Sequence, residues 1–359
     1  MKSKTTNSPK FFMQKALDLA LLGAGSVKTN PLVGCVIEKK GKIIATGHHK
    51  QFGGPHAEAI ALKSAGKNAK DSTVYITLEP CCYFKGKKTP PCVNALIDAK
   101  VKKVVIAAKD PNPKVAGKSI KLLKKNGIVV ESGLLESEFR RMNAPYSKFI
   151  KTNLPFVFLK VAMSLDGFIW SKSKTLLSSK TSLKFGHKLR ASADAILVGI
   201  NTILKDDPKL TVRLVKGKDP LRIILDNSLK IPLNSKVLND SNALVVGSKT
   251  SFDPKKKIAL EKKGISVLLL PSKNGKIDLH SLLKELGKRN ICTLTVEGGS
   301  TIITSFFNEN LFDKAFFVIT PNILHEGIPV VSSDLKKFPK IKYVSFKSLG
   351  KDLLLEAKF

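Results

Sequence analysis

The sequence predicts an α/β protein built from two domains. Three observations carry this. At 359 residues the chain exceeds what one ordinary core holds. Helix-like and strand-like apolar segments alternate along its length. Thr152-Asn153-Leu154-Pro155 then breaks the pattern near the middle, which gives domains over residues 1–151 and 152–359.

In the first domain, the spacing of Phe12, Ala16, Leu19 and Leu22 predicts an amphipathic helix over 11–22. Runs rich in Val, Ile and Thr predict strands at 33–38 and 42–46. A helix over 56–65, a strand at 73–78, a helix over 92–99, a strand at 101–107 and a helix over 119–126 follow. The polar stretch 136–151 is helix-compatible. The second domain has strands near 156–163, 195–199, 222–226, 243–247, 266–270, 293–297 and 315–320, with an apolar helical stretch at 302–307. There is no internal repeat and no low-complexity linker.

Composition narrows the function classes. Mean hydropathy near zero and 43% hydrophobic residues describe a globular chain. No run of about 18 apolar residues offers a membrane span. Lys15 and Asp18 interrupt the N-terminal apolar stretch, so a secretion signal is not expected and the cytoplasm is. Lysine and arginine exceed acids by 62 to 28, a formal charge of +34. The lysines are spread along the chain, without an arginine-rich tract or basic-aromatic interleaving. A solvated lysine-rich surface therefore explains them better than a nucleic-acid site, and neither nucleic acid nor membrane is an expected partner. The field still favours anionic ligands.

Five cysteines do not suggest a disulfide scaffold, but Cys81, Cys82 and Cys92 crowd into twelve positions. They belong to a sharper constellation of His56-Ala57-Glu58, Glu79-Pro80-Cys81 and Cys92. His56 and Glu58 open a helix after Gly53-Gly54-Pro55, Cys81 follows a strand, and Cys92 follows Pro90-Pro91 at a helix start, where a thiol ionises readily. One imidazole and two thiolates make a three-ligand zinc set with a fourth position for water. Glu58 is then the proton carrier and not a ligand. Taken singly, His56 reads as a cap, Glu58 as a surface charge and each cysteine as a small core residue. Their order, each at an element junction, favours zinc. Cys82 is a possible substitute for Cys81.

With these residues in place, the first 150 or so positions resemble the deaminase domain of the bifunctional riboflavin-biosynthesis deaminase/reductase family. The matching stretches are Asn30-Pro31-Leu32-Val33-Gly34-Cys35, Gly47-His48-His49 through His56-Ala57-Glu58, Thr77-Leu78-Glu79-Pro80-Cys81, Thr89-Pro90-Pro91-Cys92 and Asp110-Pro111-Asn112-Pro113. Nucleobase deaminases of the Cys-x-x-Cys type differ, since ten residues separate Cys81 from Cys92 here. The resemblance implies a cytidine-deaminase-like three-layer α/β/α domain holding one Zn2+ per chain. It also implies substrate contacts at Asn30, His49 and Asn112.

The second half is similar to the family's reductase domain from Lys160 to about Gly327. Matches include Lys160 through Gly167, Leu189-Arg190-Ala191, Asp194 through Gly199, Asp206-Asp207-Pro208 and Val296-Glu297-Gly298-Gly299-Ser300-Thr301. Independently, strand–Gly-Gly–helix at 296–302 offers amide donors to a phosphate, and Arg190 and Arg213 are forks among lysines. The resemblance implies a dihydrofolate-reductase-like α/β domain using NADPH. Ala162, Thr202, Asp206, Gly299, Ser300 and Thr301 would touch the cofactor. Arg190, Leu210, Arg213 and Glu297 would touch the substrate.

Together the halves imply zinc-dependent deamination of 2,5-diamino-6-ribosylamino-4(3H)-pyrimidinone 5′-phosphate. NADPH-dependent reduction of the ribosyl to a ribityl chain would follow, in a homodimer. Leu176-Leu177-Ser178 stands where the family commonly has Trp-Ile-Thr, and the only tryptophan, Trp170, lies earlier in the same stretch. This departure motivates a rival reading in which the reductase half is a degenerate scaffold. A tRNA-type deaminase is a second rival, motivated by the charge. A nucleic-acid-binding protein with a structural zinc is a third.

Overall fold

The computed structural model describes residues 8–83, 90–172, 178–273, 275–336 and 339–359. The chain divides after Asn153 into two units. The first unit contains α1 (Pro9–Ala20), β1 (Gly34–Lys39), β2 (Lys42–His48), α2 (Ala57–Ala65), β3 (Thr73–Leu78) and α3 (Cys92–Asp98). It continues with β4 (Lys103–Ala108), α4 (Lys118–Lys125), β5 (Val129–Ser132), α5 (Glu136–Met142) and α6 (Ala144–Thr152). Ser8 caps α1, accepting a hydrogen bond from the Phe11 amide, with Pro9 in its first turn.

The sheet order is β2-β1-β3-β4-β5, with β1 antiparallel to both neighbours and β3, β4 and β5 parallel. Two glycines show how helices seat on it. A Cβ on Gly34 would lie 1.9 Å from the Ala16 carbonyl oxygen of α1, and one on Gly47 would lie 2.2 Å from the Ala57 carbonyl oxygen of α2. Cys35 pairs with Gly47, so those two face the same way, and Gly34 faces the other. Hence α1 and α2 cover opposite faces, giving three layers. Asn143 splits the predicted 136–151 helix into α5 and α6, and β5 was absent from the sequence reading. Its side chains are mostly exposed, so it carries no strong alternation.

The second unit has β6 (Phe156–Met163), β7 (Phe168–Trp170), α7 (Lys180–Ser192), β8 (Ala195–Gly199), α8 (Ile200–Asp206), β9 (Leu221–Leu225), β10 (Ala243–Ser248), α9 (Pro254–Lys262) and β11 (Ser266–Leu270). After these come β12 (Ser272–Lys273), β13 (Lys276–Ile277), α10 (Leu279–Lys288), β14 (Thr293–Val296), α11 (Ser300–Asn308), β15 (Lys314–Ile319), β16 (Ile328–Pro329), β17 (Tyr343–Leu349) and β18 (Asp352–Lys358). The large sheet runs β11-β10-β9-β8-β14-β6-β15-β18-β17. Strands β11 through β15 are parallel, and the β17–β18 hairpin is antiparallel.

Parallel strands buried on both faces read as continuous apolar runs, and Ala195–Gly199 is buried at every position. That is why the sequence located those strands. The terminal hairpin escaped because β17 is an edge strand with few core-facing positions. Among the described residues, no helix is long and apolar enough to cross a membrane.

Candidate active sites

The first site forms where β3 ends and α2 and α3 begin. His56 is the N-cap of α2, Cys81 lies just beyond β3, and Cys92 is the first residue of α3. Cys81 Sγ and Cys92 Sγ stand 3.4 and 3.3 Å from His56 Nδ1, and the three donor atoms lie within 4.8 Å of one another. Tetrahedral ligands at ordinary Zn–S and Zn–N lengths are separated by about 3.6 Å, so the set fits one zinc ion. The Cys92 amide donates to Cys81 Sγ at 3.3 Å. Hydrogen bonding from Cys92, then from His56, holds the Cys81 thiol well below its ordinary pKa despite burial. Cys82 turns the other way, into the apolar core, and burial raises its pKa.

Glu58, in the first turn of α2, is 3% exposed, and burial followed by the Cys81 charge pushes its carboxyl pKa up. Both face a cavity of about 560 Å³ that also takes Asn30, His49 and Asn112 into its wall. His49 Nδ1 is 3.1 Å from the Pro55 carbonyl, so Nδ1 carries the proton. Its Nε2 then accepts from Asn30 Nδ2 at 3.0 Å. Thr89 of the Thr-Pro-Pro-Cys stretch lies outside the described residues.

The second site lies at the carboxyl ends of the parallel strands, where open α/β sheets bind ligands. A cavity of about 780 Å³ meets the ends of β6 at Ala162, β8 at Gly199, β9 at Leu225 and β14 at Glu297. Thr202 and Asp206 of α8 and Gly299, Ser300 and Thr301 at the start of α11 line it too. Ser300 Oγ is buried and, among the described residues, has no hydrogen-bond partner. A Cβ on Gly299 would meet nothing within 4 Å. An open backbone cradle and an orphaned hydroxyl at a helix N-terminus fit a dinucleotide phosphate.

The predicted substrate residues of this half divide differently. Arg190 gives its fork to Glu297, Nε to Oε1 at 3.0 Å and Nη2 to Oε2 at 2.7 Å. Burial raises the Glu297 pKa, but the Arg190 charge and hydrogen bonds, then Lys160, outweigh it and the net shift is downward. Arg213 is exposed and, among the described residues, its guanidinium donates only through Nη1, to Thr211, while its amide donates to His187 Nδ1 at 3.0 Å. Leu210 is 3% exposed, with a left-handed backbone at φ 55. Arg190, Leu210 and Arg213 lie off the cavity lining, and Arg190 meets it through Glu297. Leu176 and Leu177 of the altered stretch are outside the described residues.

Comparison with known proteins agrees with both halves. The family model for the cytidine and deoxycytidylate deaminase zinc-binding region matches residues 6–108, and that for the RibD C-terminal domain matches residues 155–355. The riboflavin biosynthesis protein RibD of Aquifex aeolicus is 41% identical, over 96% of this chain and 97% of its own. The Escherichia coli RibD is 33% identical, over 96% and 98%. The chain belongs to the RibD family.

A solved Acinetobacter baumannii RibD shares the architecture at TM-score 0.84 and 34% identity, covering 97% of this chain and 98% of that one. A Thermotoga maritima structure, titled a diaminohydroxyphosphoribosylaminopyrimidine deaminase/5-amino-6-(5-phosphoribosylamino)uracil reductase, aligns at TM-score 0.82 with the same identity and coverage. The two units are thus a cytidine-deaminase-like domain and a dihydrofolate-reductase-like RibD reductase domain, the zinc-dependent deaminase and NADPH-dependent reductase of riboflavin biosynthesis. The degenerate-reductase and tRNA-type readings are not favoured.

Two residues of this RibD chain, Glu79 and Lys160, stand in the matching stretches, where nothing in the sequence gave them a role of their own. Glu79 is 2% exposed and ties the loop carrying Asn112 to the end of β3. Its Oε2 accepts from the Gly117 amide at 2.9 Å and the Asp110 amide at 3.3 Å, and Oε1 accepts from Ser119 Oγ at 2.8 Å. Lys160, on β6, lines the reductase cavity, and burial lowers its pKa. A charged residue inside an otherwise apolar strand was the available signal for Lys160.

Proposed function

We propose that the first unit hydrolytically deaminates 2,5-diamino-6-ribosylamino-4(3H)-pyrimidinone 5′-phosphate. The second then reduces the ribosyl group of the product to a ribityl chain with NADPH. The observation that carries this reading is the convergence of His56, Cys81 and Cys92 beside buried Glu58 in a cavity large enough for a pyrimidine. His56 Nδ1 and the two thiolates would hold the zinc ion. Zinc bound there makes water nucleophilic near neutral pH.

Glu58 takes the proton of the attacking water and passes it to the departing amino nitrogen, a task suited to a carboxyl whose pKa burial has raised. Asn30 and His49, mutually oriented, and Asn112 position the ring. In the second unit Ala162, Thr202, Asp206 and the turn Gly299, Ser300, Thr301 hold the cofactor. NADPH, when bound, supplies the hydride. Glu297 meets the substrate, with Arg190 fixing its carboxylate. Arg213, whose guanidinium retains donors beyond its Thr211 contacts, takes the substrate phosphate, and the backbone at Leu210 shapes that loop.

A phosphorylated pyrimidine is the partner, and nucleic acid is not. Exposed Val344 and Phe346 on the β17 edge, with Leu353, support a homodimer. The absence of a candidate membrane span among the described residues is consistent with a cytoplasmic enzyme.

The decisive experiment joins elemental analysis to a coupled assay on the diaminopyrimidine ribotide. One zinc per chain, ammonia release and NADPH oxidation are expected. Protein with neither zinc nor ammonia release overturns the deaminase assignment. Ammonia release without NADPH oxidation overturns the reductase assignment alone.

A further inference from the structure

Trp170, the sole tryptophan, ends β7 and lies in the wall of the reductase cavity. Its backbone is fixed from behind, because a Cβ on Gly327 would lie 1.9 Å from the Trp170 carbonyl oxygen. The neighbouring Ile328 pairs with Trp170 across the β7–β16 ladder. The Lys205 ammonium sits 3.0 Å from the centre of the indole ring. Lys205 belongs to α8, three residues beyond Thr202 and adjacent to Asp206, and it lines the same cavity.

A solvated lysine ordinarily samples many rotamers, or pairs with a nearby carboxylate. Lys205, although exposed, lies over an aromatic face and makes no ion pair among the described residues. An ammonium has three donors and no acceptor, and the ring face satisfies its charge without occupying its N–H groups in a strong hydrogen bond. What the pair presents to the cavity is a positioned cation whose donors suit phosphate oxygens.

We propose that Lys205, held in place by Trp170, is a phosphate contact for the dinucleotide cofactor, with Trp170 acting as its positioning residue. This rests on the assignment of the second unit as an NADPH-dependent reductase. The shared ligand chemistry is a phosphate oxygen, of either the pyrophosphate or the 2′-phosphate. The cavity supplies both parts of the case, since the orphaned Ser300 hydroxyl at the start of α11 marks it as a phosphate-binding space independently of the lysine.

The test is equilibrium binding of NADPH and of NADH to the full-length protein, to Lys205→Gln, to Trp170→Leu and to the double variant, at several salt concentrations. Lys205→Gln is expected to weaken NADPH binding about tenfold, the loss of one charge-assisted contact, and to flatten its salt dependence. Trp170→Leu is expected to weaken binding about threefold, and the double variant to be no worse than Lys205→Gln alone. Loss for NADPH and NADH alike identifies the pyrophosphate, and loss for NADPH alone identifies the 2′-phosphate. The proposal falls if wild type binds NADPH and Lys205→Gln binds it within twofold. It also falls if the two substitutions add independently. Wild type that does not bind NADPH overturns the reductase assignment and this proposal with it.

Discussion

At the scale of single residues, the deaminase site separates chemistry from packing. Replacing Glu58 by Gln keeps the shape of the side chain but removes the group that carries the proton. Ammonia release should fall by about 10²–10⁴-fold, while zinc content measured by elemental analysis stays at one per chain. A structural zinc site would show no dependence on that carboxylate. Cys81→Ala should lose the metal, whereas Cys82→Ala should keep it, since Cys82 is packed in the core. Retained zinc in Cys81→Ala would show that the ligand assignment is wrong.

The zinc residues were legible because metal chemistry restricts residue type, order and spacing together. The Arg190–Glu297 pair was legible only as two separate residues, because nothing local in sequence shows a contact across 107 positions. The structure gives that pair an energetic meaning. Removing Arg190 leaves the largely buried Glu297 with only Lys160 and His187 near it, and Arg190→Met should cost about 3 kcal/mol in denaturant unfolding. The pH sense follows from the direction of the shift. The folded-state pKa of Glu297 lies below its ordinary 4.5, so the pair's contribution is complete above that value and is lost as pH falls further, through the folded-state pKa. Acid unfolding of wild type and Arg190→Met should therefore converge at low pH, and a constant difference across the range would contradict the assignment.

At the scale of elements, the site depends on how closely α2 sits on the sheet. Gly47 of β2 leaves no room for a methyl group: its Cβ would lie 2.2 Å from the Ala57 carbonyl oxygen and 2.8 Å from the Ala61 amide nitrogen. Both are backbone atoms of the helix that begins beside His56 and carries Glu58. Gly47→Ala must therefore displace α2, and a shift of even an ångström at a catalytic group costs about 10²-fold. Deamination should fall by about that factor with weaker zinc retention, while NADPH oxidation with deaminated substrate is unchanged. Equal losses in both activities would mean that the substitution acts through general unfolding instead. The same scale explains what sequence periodicity could recover. Strands buried on both faces announced themselves as Val- and Ile-rich runs, and helices with one apolar stripe did so by spacing. Exposed β5 and the β17 edge gave neither signal, because their stability comes from partners that are not local in sequence.

At the scale of the whole molecule, the charge of +34 acts in two opposed directions. Lysines distributed over a surface repel one another and disfavour the compact state, while their summed field attracts phosphorylated ligands. Added salt screens both, since the Debye length shrinks from about 30 Å at 0.01 M to about 8 Å at 0.15 M ionic strength. The melting temperature should therefore rise with sodium chloride over that range as self-repulsion is relieved. Over the same range KM for the phosphorylated pyrimidine should rise, because long-range attraction is lost. Short contacts such as Arg190 to Glu297 are shielded by burial and should contribute little to either trend. A non-phosphorylated analogue that is turned over separates the effects, since its KM should be nearly insensitive to salt. If both substrates respond alike, the field is not recruiting phosphate, and the lysines serve only to keep the surface solvated.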